Sequence, residues 1–324
     1  DHRDLHSFPT RRSSDLTTDS PRLPQGNSIT HEFFFDAYLP PWRGFGNQSP
    51  PQYADPSLQK TYTPPSWASA KLPVIITMHG EVEDKGPWNS IPTSQYLANQ
   101  GYLVCDLNYG YITLNEHGEN KNGYTIRQVI EQIGRFTQFL DTHQDEFHAD
   151  MNHTFFMGRH LGAFYALLAA YGYSSVFNAS FSPNMNVSGV IPFYPISDLG
   201  TEETSFYGIL SQRAYPFMEG SADPNSPDYN PDWVLLNPSK LIDPSINPVA
   251  TLPLTFLITG THDYLIPKSY TDRFIEKMNH FKHAIIIGYY WWGSDGFDGA
   301  YNSVWGQSTL YYLERFLFLA TLNR

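Results

Sequence analysis

The stretch FFMGRHLGAFYALLAA, residues 155–170, places Gly158 and Gly162 around a three-residue corner between an apolar strand-like run and an apolar helix-like run. At such a strand-to-helix turn the middle residue is lifted clear of the sheet on a strained backbone, where a nucleophile would meet its substrate. That residue is His160, flanked by Arg159 and Leu161, so the corner offers no hydroxyl. An imidazole there can ligate a metal, pair with a carboxylate or, more weakly, attack as a covalent nucleophile. Three other histidines, His143, His148 and His153, lie around EFHADMNH, which lacks the helical H-E-x-x-H frame of a zinc site. They read as surface residues. No phosphate-binding glycine loop is present.

These side chains need a frame. HEFFFDAYL, from His31 to Leu39, has the aromatic density of a strand. Residues 40–65 carry three Pro-Pro pairs and predict a long surface loop. PVIITMH (73–79) and YLVCDL (102–107) read as buried strands, with a helix over 93–100 closed by Gly101. Val129, Ile130, Ile133, Phe136, Phe139 and Leu140 follow helical spacing and predict a helix over 124–142 with one face on a sheet. After the corner come SGVIPFYP, PLTFLITG, a helix over 268–280, HAIIIG and an amphipathic helix over 307–322. Continuous apolar strands alternating with helices imply an α/β fold, a doubly wound, mostly parallel sheet with helices on both faces. Residues 198–250, rich in Pro, Asp and Asn, interrupt the alternation at the sheet edge where ligands enter, and read as a small cap insertion.

The formal charge is −12, from 20 Lys+Arg against 32 Asp+Glu, which argues against nucleic acid or an anionic membrane as partner. No apolar run approaches the roughly 18 residues of a membrane span. Cys105 is the one cysteine, so no internal disulfide exists, and its apolar surroundings predict a buried, inert thiol. Four N-x-[ST] sequons, at Asn47, Asn152, Asn178 and Asn186, are about what chance gives in this composition. Aromatic residues make up 16% of the chain, and Trp291, Trp292 and Trp305 read as loop residues that either pack the loops or line a ligand pocket. Residues 1–16, DHRDLHSFPTRRSSDL, back-translate along their whole length into a common short-read sequencing adapter. They are set apart from the domain at 17–324, and the expectation is that the native N-terminus, with any signal peptide or anchor, is missing.

Three patterns in chain order resemble the α/β-hydrolase superfamily, in its esterase and lipase branch with an HGG-type oxyanion loop. They are His79-Gly80 after a strand, Gly158-Arg159-His160-Leu161-Gly162, and GTHDYLIP (260–267) followed by GSDGFDGAYNSVWGQSTLYYLERFL. The resemblance implies a triad running Ser, Asp, His along the chain. Asp263 matches the acid; the serine position holds His160; the base position, before Gly296-Phe297-Asp298, holds Asp295. In the resembled family, glycines follow the oxyanion-loop histidine because backbone N–H groups must approach a developing alkoxide unobstructed. Here Gly80 is followed by Glu81, whose carboxylate opposes negative charge, although the Leu161 N–H remains as a donor. Asp198, in YPISDL, resembles a structural turn acid.

Loss of the nucleophile alone costs a serine hydrolase about a millionfold in turnover. With nucleophile, base and a clean oxyanion loop all replaced, the expectation is an esterase- or lipase-like protein that has lost serine-hydrolase activity and binds a small hydrophobic or ester-like ligand or a protein partner. Asp295 is one base from a histidine codon, whereas every histidine codon is at least two from any serine codon, so His160 is not a single-base error. No cofactor is implied by that reading. The alternative is an active carboxylic-ester hydrolase with an unconventional site. The resemblance implies that His160, Asp263 and Asp295 converge at one cleft, with His79 and Glu81 on the adjacent loop; one histidine and two carboxylates are a plausible ligand set for zinc or manganese, though the same three can satisfy one another as an ion-pair cluster.

Overall fold

The structure is a computed structural model that describes residues 11–12, 16–18, 31–40, 71–80, 90–109, 124–198, 224–247, 252–263, 266, 268–290, 292–293, 296–299 and 302–322. The proline-rich stretch 40–65, read as a loop, lies almost wholly outside them. The strands are β1 (Arg11–Arg12), β2 (Leu16–Thr18), β3 (His31–Tyr38), β4 (Leu72–Met78), β5 (Leu103–Asn108), β6 (Ala149–Arg159), β7 (Val187–Phe193), β8 (Leu254–Gly260) and β9 (Ile285–Tyr290). The helices are α1 (Ser90–Asn99), α2 (Ile126–Thr142), α3 (Gln144–Phe147), α4 (Leu161–Gly172), α5 (Asp232–Leu235), α6 (Pro238–Leu241), α7 (Lys268–His280) and α8 (Val304–Leu322).

The strands form one sheet in the order β1-β3-β5-β4-β6-β7-β8-β9, with β2 also on β3. Every pairing from β5 through β9 is parallel, and β3 joins β5 antiparallel. β1 and β2 also run antiparallel to β3, so residues 11–12 and Leu16, from the stretch set apart on sequence grounds, lie against the sheet.

The mostly parallel, two-faced architecture follows from apolar runs in which neighbours point to opposite faces. Ile75 and Phe155 enter one core with Leu97 of α1 and Leu313 and Phe316 of α8. Ile76 and Phe156 enter the other with Ile133 and Phe136 of α2 and Phe164 of α4. Each such side chain contributes about 1.5–3 kcal/mol on burial, which is why the central strands tolerate almost no polar residue. Helix α2 starts at a capping box, in which the Thr125 hydroxyl accepts from Gln128 N and the Gln128 side chain accepts from Thr125 N, and it buries the face predicted from its spacing.

The second half of the stretch read as a cap, residues 224–247, runs beside α4. Trp233, Leu236, Leu241 and Ile242 join the core that contains α4. Asp232 pairs with Arg127 of α2, and Asp198 accepts from Asn237 Nδ2 at 2.7 Å and Ser239 Oγ at 2.8 Å. Lys277 of α7 donates to the Ser239 carbonyl, and burial, the largest cause, holds its pKa below the ordinary lysine value. Residues 199–223, the rest of the expected cap, lie outside the described residues.

Two expectations need correction. Trp305 is in helix α8 and not in a loop. Helix α8 is not amphipathic: Leu310, Leu313 and Leu317 pack inward, while Tyr311, Phe318 and Leu319 are exposed on the other side. The apolar residues recur so densely that both faces carry them, and spacing alone does not tell which face meets the sheet.

Candidate active site

The corner predicted from Gly158 and Gly162 is built as a sharp turn between β6 and α4. His160 has φ 52° and ψ −113°, a conformation that costs a non-glycine residue on the order of 1–3 kcal/mol and persists only where the surroundings enforce it. Here they do. The His160 N–H donates to the Phe193 carbonyl at 3.1 Å, and its own carbonyl accepts from Phe164 N at 3.2 Å. Both glycines are required by close approach: a Cβ on Gly158 would lie 2.3 Å from the Gly162 carbonyl oxygen, and one on Gly162 would lie 2.3 Å from the oxygens of both Met78 and His79. The turn is therefore wedged against the end of β4.

That wedge brings Gly80, read from sequence as an oxyanion-loop position, to the corner. The site for a Cβ on Gly80 is 3.8 Å from the His160 Cβ. His79 is buried; its Nδ1 donates to the Gly80 carbonyl at 2.9 Å, and its ring stacks on Tyr109 with centroids 4.5 Å apart. The Tyr109 hydroxyl donates to the His79 carbonyl. Leu161 opens α4 directly after the corner. Glu81, Ser294, Asp295 and Trp291 lie outside the described residues.

Asp263 sits on the loop after β8, buried, with Oδ1 accepting from Ile266 N at 2.8 Å, a bond that fixes the carboxylate's orientation. This loop is stapled to the one after β9, which leads to position 295. Thr261 N donates to the Tyr290 carbonyl at 3.0 Å, His262 N to the Gly293 carbonyl at 2.9 Å, and Trp292 N to Thr261 Oγ1 at 3.0 Å. A Cβ on Gly260 would meet Gly293 O at 2.1 Å, so position 260 must lack a side chain for the loops to touch. Above the staple the exposed Trp292 ring stacks on His262 at 4.1 Å.

One feature was missed in the sequence. Arg159, beside the corner, donates from Nε to Asp298 Oδ2 at 2.9 Å and from a terminal nitrogen at 2.8 Å, while the Tyr194 hydroxyl donates to Oδ1 at 3.0 Å. The Arg159 side chain is 16% exposed and that of Asp298 4%, and the guanidinium also lies over the Phe193 ring at 4.5 Å. The elbow is thus clamped to the segment just after the base position. A pair 139 residues apart leaves no local signal beyond the presence of one charge next to the elbow and one after Gly296-Phe297.

Chemically, the described corner presents an imidazole where a hydroxyl would attack, and residues 158–162 contain no hydroxyl-bearing side chain. His143, His148 and His153 do not join it: His143 bonds the Phe139 carbonyl and His153 pairs with Asp150. Among the described residues no group of three His, Cys, Asp or Glu side chains is arranged to hold a metal ion; the set proposed from sequence includes Asp295, which is outside them. Among them also, no helix is long and apolar enough to cross a membrane.

Residues 61–278, about two thirds of the chain, match the family model BD-FAE. No curated protein matches the chain in sequence. Among solved structures it is similar to an inhibited esterase B from Lactobacillus rhamnosis, at 15% identity and TM-score 0.63, over 89% of this chain and 82% of that one. It is likewise similar to the apo form of Thermogutta terrifontis esterase 2, at 15% identity and TM-score 0.59, over 94% of this chain and 95% of that one. A butyrate-bound structure of the same thermophilic esterase aligns at 16% identity and TM-score 0.59, over 89% of each chain. At these identities the likeness establishes a shared fold.

Proposed function

The chain belongs to the BD-FAE family, an esterase-like α/β-hydrolase family, and from that premise we propose that it has given up serine hydrolysis and uses the inherited cleft to hold a small hydrophobic or ester-like ligand. In this reading residues 17–324 are one hydrolase domain, with its insertion at 198–250 and residues 1–16 foreign to it. The family triad positions are His160, Asp263 and Asp295.

One observation carries the reading: the strained elbow at His160 survives with both close glycine contacts, although the residue on it cannot do a serine's work. A frame that costs on the order of 1–3 kcal/mol to maintain would relax if the cleft had no use, since a residue with an ordinary φ would stabilise the fold. Binding needs the shape of the cleft, whereas acyl transfer needs a nucleophile, a base and an open oxyanion loop together. The bound esters and inhibitors of the neighbours belong to those proteins; an ester-like ligand here is inferred from the common frame.

The test compares the wild-type chain with His160→Ala and with His160→Ser/Asp295→His, using a fluorophosphonate label and short-chain aryl esters. The wild type should neither label nor hydrolyse above the His160→Ala background, while such esters, left intact, should raise its melting temperature. The double variant should gain labelling at position 160. Wild-type turnover that falls at least a hundredfold in His160→Ala, or a labelled wild-type serine, would overturn the proposal.

A further inference from the structure

Helix α8 has two apolar faces, and only one of them is used by the sheet. At 100° per residue the outward positions 304, 305, 308, 311, 312, 315, 318, 319 and 322 fall in one arc of about 140°. Val304, Tyr311 and Phe318 recur along it every seven residues, as do Trp305, Tyr312 and Leu319. All six are exposed, from 38% at Trp305 to 83% at Val304. The arc is nearly uncharged: its one ionic side chain, Arg315, lies over the Tyr311 ring at 3.4 Å. A helix that is apolar all round belongs inside something.

The last strand of the sheet also exposes an apolar residue on the side that α8 covers. β9 ends the strand order, and Ile286, on the α8 side of the sheet, is 46% exposed. Together with Ile286 and Leu322 the stripe exposes on the order of 800 Å², about what one partner contributes to an ordinary stable interface.

We propose that this face of α8, with the β9 edge beside it, is the interface of a twofold symmetric homodimer. A seven-residue repeat of large apolar side chains is what one helix buries when it lies along another, and a second copy presents the same repeat in the reverse direction. The patch is thereby complementary to itself without any further partner. The chemistry disfavours the main rival, an anionic lipid surface, because the chain carries −12 and the stripe offers a single cation. Two copies of like charge also repel at long range, so added salt should strengthen this association, whereas contacts between opposite charges weaken in salt.

The experiment is sedimentation velocity with light scattering on the full chain, from about 1 to about 100 µM. The wild type should approach twice the chain mass of 37.0 kDa, with tighter association as salt is raised. Phe318→Glu/Leu319→Glu should weaken self-association at least about thirtyfold and leave the far-ultraviolet circular dichroism intact, since both positions are exposed. Tyr312→Ser serves as a second variant with no new charge and should weaken it in the same direction. A monomer at every concentration, a dimer that survives both variants, or a wild-type monomer recovered on phospholipid vesicles would each overturn the proposal.

Discussion

Cutting the clamp between the elbow and the segment after the base position gives a quantitative test of how the site is held. Arg159→Met takes the guanidinium away from the buried Asp298 carboxylate, to which the Tyr194 hydroxyl also donates. Asp298→Leu does the converse and takes the carboxylate away from a guanidinium packed over Phe193. Removing one member of a buried pair costs about 3–5 kcal/mol, and for Arg159→Met the lost cation–π contact adds up to about 1 kcal/mol. Both side chains are little exposed, at 16% and 4%, so solvent screening reduces these values only slightly. The double variant leaves neither charge uncompensated, because an ion pair replaced by apolar side chains of similar size is often close to neutral. Its cost should therefore fall short of the sum of the singles by at least about 3 kcal/mol. Urea unfolding followed by circular dichroism, with unchanged m-values, measures all three differences. Strict additivity would refute the argument, since it would mean that the two groups do not sense each other in the folded protein.

Two further outcomes follow from the same geometry. Gly162→Ala should destabilise the fold by at least about 3 kcal/mol, read by denaturant melts, because its methyl would overlap two backbone carbonyls that the end of β4 cannot withdraw; a near-neutral result would mean the corner is not wedged. Cys105 is fully buried, and burial, more than the neighbouring Asp106, pushes its thiol pKa far up. At pH 8 a thiol reagent should therefore modify it only as fast as the chain unfolds, and the labelling rate should track urea concentration through the unfolding transition; rapid labelling in native buffer would contradict this.

The apolar runs and glycines made much of the fold legible. Each of the runs around Ile75, Val104, Phe155, Val190 and Ile258 is a strand, because a parallel strand covered on both faces needs unbroken apolar sequence. The elbow was legible for a similar reason: Gly158 and Gly162 bracket a turn that side chains would block, and that requirement is written in the residue types themselves. Helix α2 showed its buried face through the spacing of its apolar residues, whereas the capping box of Thr125 and Gln128 that starts it came to light only in the structure.

What stayed hidden depends on pairs far apart in the chain. The Gly260 and Gly293 contact joins the loop that carries Asp263 to the loop that leads to position 295, yet neither glycine alone says what it approaches. Arg159 and Asp298 look like two ordinary surface charges until the fold pairs them, with Arg159 over the Phe193 ring and Asp298 on the Tyr194 hydroxyl. Helix α8 has apolar residues all round, so only its docking on β7 and β8 decides which half is left outside. Residue type and local spacing record the constraints a segment imposes on itself, such as strand, turn and cap. The site's rigidity and the molecule's unused apolar face come from distances closed by folding, and no local pattern encodes those.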